Sequence, residues 1–206
     1  MLDVATYPQQ TRPPTRATEL EDIVLRDYLG SPVRLGDLWE ERPAALVFLR
    51  HYGCVFCRDH AVQLHRDRNK FEAADINLAV IGQGTPEQAA EFRRIQGVEI
   101  PLLVDPDRRS YEAAGAKVAV LSELLGPRVI ARGIQRTVVS RIHQGNIVVH
   151  QGRITNHAAQ LGGVLVVARD SSIRYAHLSE DAADNPPNAE VLAVARAIRP
   201  HAEPDS

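Results

Sequence analysis

Four shortages in this sequence each remove a class of function. Only two of its 206 residues are cysteine, so no disulfide framework staples a small secreted fold together. Aromatic residues make up 5%, too few for a surface that stacks the bases of single-stranded nucleic acid. Charge of one sign is also lacking: the net charge of −2 at pH 7 sets up no strong field toward nucleic acid, anionic membrane or acidic substrates. Long apolar runs are missing as well. Ala44 to Leu49 and Gly163 to Ala168 are the continuous stretches, far short of the roughly 20 residues that span a bilayer. The opening MLDVATYPQQTRPPTRAT has no basic segment followed by an apolar one and does not read as a secretory signal. These features give an expected cytoplasmic location, with neither membrane nor nucleic acid as partner. There, a close cysteine pair is catalytic or metal-binding rather than structural.

What remains is ordinary globular composition, 44% hydrophobic and 24% charged, at a length that suits one domain with one insertion. Residues 1–18 are rich in Pro, Thr, Gln and Arg and read as a flexible tail, and residues 201–206 as a frayed end. Between them, 19–200 read as a single domain. Ile23 to Arg26 and Pro32 to Leu35 flank a Gly30 turn and predict a hairpin. Ala44 to Leu49 and Asn77 to Gly82 are apolar runs of strand length, as in strands buried on both faces. Leu102 to Asp105 is a third. Helices are predicted from Val55 to Ala74, after a Thr85-Pro86 start to about Ile95, and after an Asp107 cap to Ala114. Residues 116–160 read as an insertion with helical stretches. A hairpin of Val164 to Ala168 and Ile173 to Leu178 follows, then a last helix from Ala189 to Ile198. Alternating strands and helices that close on a hairpin predict an α/β sandwich with a mixed central sheet.

The chemistry concentrates in Leu49-Arg50-His51-Tyr52-Gly53-Cys54-Val55-Phe56-Cys57-Arg58-Asp59-His60. A buried strand runs through a turn at Gly53 into Cys54-x-x-Cys57, which opens a helix. Free N–H groups and the dipole at a helix N-terminus favour a thiolate over a thiol. Cys54 near the cap is the candidate nucleophile, and Cys57, one turn further in, is placed to close a disulfide with it. Lowering a thiol pKa from about 8.5 to about 6.5 raises its thiolate fraction at pH 7 about 25-fold. The accompanying fall in nucleophilicity leaves a net gain of only about threefold. Fast peroxide chemistry therefore needs groups that position the oxidant and stabilise the departing oxygen. Arg50, His51, Tyr52, Arg58 and His60 are candidates, with Arg50 preferred as stabiliser of the thiolate. The run His51-x-x-Cys54-x-x-Cys57-x-x-His60 also holds four potential zinc ligands. One continuous helical turn surrounds a tetrahedral ion poorly, so no metal is expected.

The segment Phe48 to Arg58 resembles the signature of the peroxiredoxin-like proteins of the alkyl hydroperoxide reductase/thiol-specific antioxidant (AhpC/TSA) group. Val33 to Trp39, Ile100 to Pro106, Gln160 to Val164 and Ala183 to Pro187 resemble further landmarks of that group, so the likeness covers about residues 20–198. It implies a thioredoxin-like three-layer sandwich with a peroxiredoxin-type N-terminal hairpin. It further implies a dithiol that reduces hydroperoxides or endoperoxides, with no bound cofactor and an external thiol reductant of thioredoxin or glutathione type as partner. A homodimer is one arrangement common in this fold. Two departures stand out. Peroxiredoxins carry Pro-x-x-x-Thr-x-x-Cys, whereas here His51 replaces the Thr and the Pro is missing. Thioredoxins place a cis-Pro before the hairpin that faces the dithiol, whereas here Leu161-Gly162-Gly163 precedes it.

The candidate catalytic set is therefore Cys54, Cys57 and Arg50, and the candidate substrate-binding set His51, Tyr52, Gly53, Gly162 and Gly163. The two adjacent glycines either admit a small ligand close to the backbone or relieve a tight turn. Two alternatives stay open: a protein disulfide reductase, and a non-enzymatic redox sensor or interaction module on the same scaffold.

Overall fold

The structure is a computed structural model that describes residues 12–52, 54–119 and 159–198. A short helix α1 (Thr18–Glu21) precedes β1 (Val24–Asp27), β2 (Pro32–Arg34) and a 3₁₀ turn over Leu35–Leu38. Then come β3 (Ala44–Phe48), α2 (Val55–Glu72), β4 (Asn77–Gly82), α3 (Pro86–Gln96), β5 (Leu102–Val104) and α4 (Arg109–Ala113). The strands β6 (Gly163–Val167) and β7 (Ile173–Leu178) and the helix α5 (Asn188–Ala197) complete the described elements.

Seven strands form one mixed sheet in the order β2-β1-β5-β4-β3-β6-β7. β3, β4 and β5 run parallel, while β1 and β6 are antiparallel to their neighbours β5 and β3. β3 has a neighbour on each side and an apolar core on each face, which is why its sequence is a continuous apolar run. Ala45 and Val47 face a core built with α2, α3 and α5. Ala44, Leu46 and Phe48 face a second core with Trp39, Leu20 and Tyr111. The result is the three-layer thioredoxin-like sandwich, with the N-terminal β1–β2 hairpin added to the sheet beyond β5.

Three local readings change. Thr15 to Ala17, assigned to the loose tail, are held against the β6–β7 turn: Ala17 N–H donates to Ser171 and Ile173 N–H to the Thr15 carbonyl. Ala17 and Leu20 are buried there, and that apolar burial fixes a segment whose composition alone reads as unstructured. Asp107 does not cap α4. Asp105, at the end of β5, accepts the backbone N–H groups of Arg109 and Ser110 instead, while Arg108 turns the chain with φ 61°. Finally, the base of the expected insertion closes on itself, with Val118 bridged to Gln160. The helical stretches expected within 120–158 lie outside the described residues, as do 1–11 and the frayed end.

α3 shows its start plainly. The Thr85 hydroxyl accepts the Gln88 N–H and the Gln88 side chain accepts the Thr85 N–H, a reciprocal capping box with Pro86 at the first helical position.

Candidate active site

β3 delivers the dithiol to the carboxyl end of the three parallel strands, where open α/β sheets place their reactive groups. Leu49 still pairs with β4, its N–H donating to the Ile81 carbonyl at 2.8 Å. The chain then leaves the sheet through Arg50, His51 and Tyr52. Gly53, with the turn assigned to it, lies outside the described residues. Cys54 N–H donates back to the His51 carbonyl at 3.1 Å, and the Cys54 carbonyl accepts the Arg58 N–H at 3.0 Å as the first helical bond.

Cys54 occupies the N-cap of α2 with extended dihedrals, φ −78° and ψ 129°. A cap normally offers a side-chain oxygen to the orphan amides, whereas the Cys54 side chain makes no such cap hydrogen bond. Its partners account for its acidity. The Cys57 thiol, a hydrogen-bond donor to Cys54, lowers the Cys54 pKa most, burial opposes it, and Arg50 with the Cys57 and Phe56 amides lowers it further, to about 6. The guanidinium Nη1 of Arg50 stands 3.8 Å from the sulfur. Cys57 goes the other way: burial, then the neighbouring Cys54, push its thiol well above the ordinary range. The two cysteines are free, with relative exposures of 6% and 4%. The surroundings thus favour the thiolate at Cys54 and the thiol at Cys57.

This asymmetry has a direct test. Alkylation of the reduced protein with iodoacetamide should rise with pH through a midpoint near about 6 and then level off, because only the thiolate reacts. Label mapped by mass spectrometry should sit on Cys54 throughout that first step, with Cys57 reacting only at alkaline pH. A single midpoint near that of a free thiol would contradict the geometry.

Other sequence-assigned residues fall in different places. His51 is buried beside the dithiol, where burial and then the Arg50 charge lower its pKa to about 4. It is a neutral imidazole at neutral pH. Tyr52 serves as an anchor. Its hydroxyl donates to the Leu103 carbonyl at 2.6 Å, its ring lies 5.1 Å from that of Phe92, and Gly82 leaves it room, since a methyl there would come within 2.7 Å of the ring. Gly162 and Gly163 likewise lie against this chain's own backbone. A side chain on Gly162 would run into the Phe48 carbonyl, and one on Gly163 would come within 2.5 Å of the His177 carbonyl. Both glycines are buried where β6 meets β3 and β7. Arg58 is half-buried and His60 buried further along α2. Among the described residues no three His, Cys, Asp or Glu side chains gather as metal ligands. Nor is any helix among them long and apolar enough to cross a membrane.

Two residues at the site went unread in the sequence. The buried Gln83, just past β4, donates its side-chain amide to the Arg50 carbonyl at 2.7 Å. Tyr111 on α4 donates its hydroxyl to the Leu49 carbonyl. The available signal was positional: a polar residue between Gly82 and Gly84, at the carboxyl end of the strand beside the dithiol strand.

Comparison with known proteins gives a consistent picture. A family model described as "AhpC/TSA antioxidant enzyme" matches residues 63–181, a span that starts beyond both cysteines. The chain is 28% identical to thioredoxin-like protein AAED1, chloroplastic, of Arabidopsis thaliana, over 85% of this chain and 71% of the relative. It is 29% identical to prostamide/prostaglandin F synthase of Salmo salar, over 77% of this chain and 76% of that protein. In three dimensions it is similar to the peroxidoxin BcpB of Mycobacterium tuberculosis, with a TM-score of 0.61 at 19% identity, covering 93% of this chain and 99% of the other.

Proposed function

Because the chain belongs to the AhpC/TSA antioxidant enzyme family, we propose that it is a thiol-dependent reductase of peroxides that works through Cys54 and Cys57. The observation that carries this reading is the geometry of the sulfur pair: Cys54 at the cap of α2 with the Arg50 guanidinium 3.8 Å from its sulfur, beside the buried Cys57, surroundings that lower the first thiol's pKa and raise the second's.

The Cys54 thiolate attacks one oxygen of a hydroperoxide, the O–O bond breaks, and the electron pair leaves on the distal oxygen as alkoxide or hydroxide. That oxygen takes a proton, and Cys54 becomes a sulfenic acid. Cys57 then attacks the Cys54 sulfur, water leaves, and a disulfide forms. An external dithiol of thioredoxin type, or two glutathione-type thiols, returns the pair to the reduced state and is itself oxidised. An endoperoxide follows the same course. Attack on one oxygen gives a sulfenate ester and an alkoxide on one substrate, displacement by Cys57 frees the second oxygen, and the product is a diol. The name of the Salmo salar relative supports testing that class.

Arg50 supports both halves of the step, holding the thiolate before attack and offsetting negative charge on the leaving oxygen during it. With His51 where peroxiredoxins place a Thr hydroxyl, oxidant positioning falls to Arg50 and the Phe56 and Cys57 amides at the start of α2. The small exposure of Cys54 favours a compact oxidant over a folded protein disulfide, which would have to reach the sulfur in a surface groove. We take 19–200 as the catalytic unit and place it in a reducing compartment such as the cytoplasm, which supplies the thiols the cycle consumes.

The test is peroxide consumption with dithiothreitol as reductant, using hydrogen peroxide and a bulky organic hydroperoxide, with insulin reduction measured in parallel. Catalytic loss of peroxide is expected, faster than insulin precipitation. Insulin reduction outrunning peroxide consumption would instead make the protein a disulfide reductase. Stoichiometric oxidation without turnover would make it a sensor.

A further inference from the structure

The residues immediately before the dithiol are held from two directions. Leu49 and Arg50 present consecutive carbonyls as the chain leaves β3. The first accepts the Tyr111 hydroxyl from α4, and the second accepts the Gln83 side-chain amide from the end of β4. The Gln83 backbone amide also acts on the Tyr111 hydroxyl, opposing the rise in its pKa that burial causes. The Leu49 N–H is tied to the Ile81 carbonyl, and the Tyr111 hydroxyl lies 3.2 Å from the same oxygen. Gln83 and Tyr111 are buried, with exposures of 2% and 0%.

Both carbonyls would have some backbone partner in a mere loop end. The notable feature is where they sit: fixing them fixes the backbone on either side of the Arg50 Cα. The direction in which the Arg50 side chain leaves the chain is then set, and its guanidinium reaches the Cys54 sulfur four residues on. We propose that Gln83 and Tyr111 are positioning residues, a clamp on the Leu49 and Arg50 carbonyls that aims the Arg50 guanidinium at Cys54. Neither touches the reacting atoms. The inference rests on the reading of Cys54 as the reactive thiol.

The amide of Gln83 is suited to this task in a way that a carboxylate is not. A carbonyl oxygen only accepts, so the group facing it must donate, and Gln offers an NH₂ there. Glu of nearly the same shape would set an oxygen against an oxygen.

The experiment reads the pH midpoint of Cys54 alkylation in the reduced full-length chain, with label mapped by mass spectrometry. Gln83→Ala and Gln83→Glu should raise the midpoint by about one pH unit. At pH 6 that change lowers the thiolate fraction from about one half to about one tenth. Tyr111→Phe, which removes only the hydroxyl, should shift it in the same direction by less. In an Arg50→Met background the midpoint is already raised, and adding Gln83→Ala should move it no further, because the clamp acts through Arg50. Additive shifts in that double variant, or an unmoved midpoint in any of the three single variants that folds, would overturn the proposal. Tyr111→Phe and Gln83→Glu keep side-chain volume, so the reading does not depend on Gln83→Ala folding. Alkylation is independent of turnover: a wild type that consumes no peroxide counts against the proposed function alone, and a turning-over enzyme with unmoved midpoints counts against the clamp alone.

Discussion

Cys54→Ser is expected to lower peroxide turnover at least about 1,000-fold, whereas Cys57→Ser should permit one fast oxidation and then turn over only as fast as the added thiol resolves it. The two outcomes differ because the two sulfurs stand in different surroundings. The Cys54 pKa is lowered, chiefly by the Cys57 thiol, so its thiolate is favoured at neutral pH in the reduced enzyme. A serine hydroxyl in its place stays protonated and is a poor nucleophile toward peroxide oxygen, and neither Arg50 nor the helix amides can make up that difference. Cys57 is buried and pushed well above the ordinary thiol range, so its removal takes away the resolving step and the proton beside Cys54, not the attacking anion. Rapid-mixing experiments should show a burst of one equivalent of peroxide in Cys57→Ser. The sulfenic acid left on Cys54 should be trapped by dimedone and absent from Cys54→Ser. Steady-state turnover should then run at the rate at which dithiothreitol itself resolves the sulfenic acid. Full turnover in Cys54→Ser would sink the assignment of the nucleophile. Equal turnover in Cys57→Ser and wild type would sink that of the resolving thiol.

How much of this was legible in the sequence depends on whether the cause is local. β3 and β4 were legible because a strand covered on both faces must be apolar at every position, and Ala44 to Leu49 is. α3 was legible because a capping box is written within four residues. The placement of the cysteine pair at a helix start was legible because a strand, a Gly turn and a helix-forming run follow one another in the sequence. What was not legible depends on the partner across space. Tyr52 is adjacent to the motif, but the partner of its hydroxyl, Leu103, lies 51 positions away. The Asp107 side chain looks like the cap of α4, but the chain turns at Arg108 and brings Asp105 to the amides instead. Gln83 and Tyr111 bear no motif at all, and only the sheet order brings them beside Arg50.

Gly162 and Gly163 are the sharpest instance, and they carry the largest expected effect on stability. A pair of glycines announces close backbone approach without saying by what. Here the approaching groups are the Phe48 and His177 carbonyls, so the requirement belongs to the sheet. Gly162→Ala should destabilise the fold by about 3 kcal/mol or more, at or beyond the upper end of ordinary overpacking, because the methyl meets a backbone carbonyl that no rotamer change can move. Its Cβ would lie 3.0 Å from the Phe48 carbonyl carbon, with the oxygen closer still. Relief demands that β6 draw away from β3, and the Gly162 carbonyl also holds the Ser179 N–H. For a chain of this length such a loss lowers Tm by about 6–12 °C. Gly97→Ala is the natural contrast. That residue ends α3 at φ 62° with open space around its Cβ position, so only the left-handed backbone resists, by about 1 kcal/mol. Thermal or urea unfolding of the reduced proteins separates the two, and a Gly162→Ala protein as stable as Gly97→Ala would refute the close approach. The effect also reaches the chemistry. Phe48 lies two residues before Arg50, so a displaced Phe48 carbonyl disturbs the strand end that delivers the guanidinium. Gly162→Ala should therefore raise the alkylation midpoint of Cys54 as well as lower Tm, while Gly97→Ala lowers Tm alone.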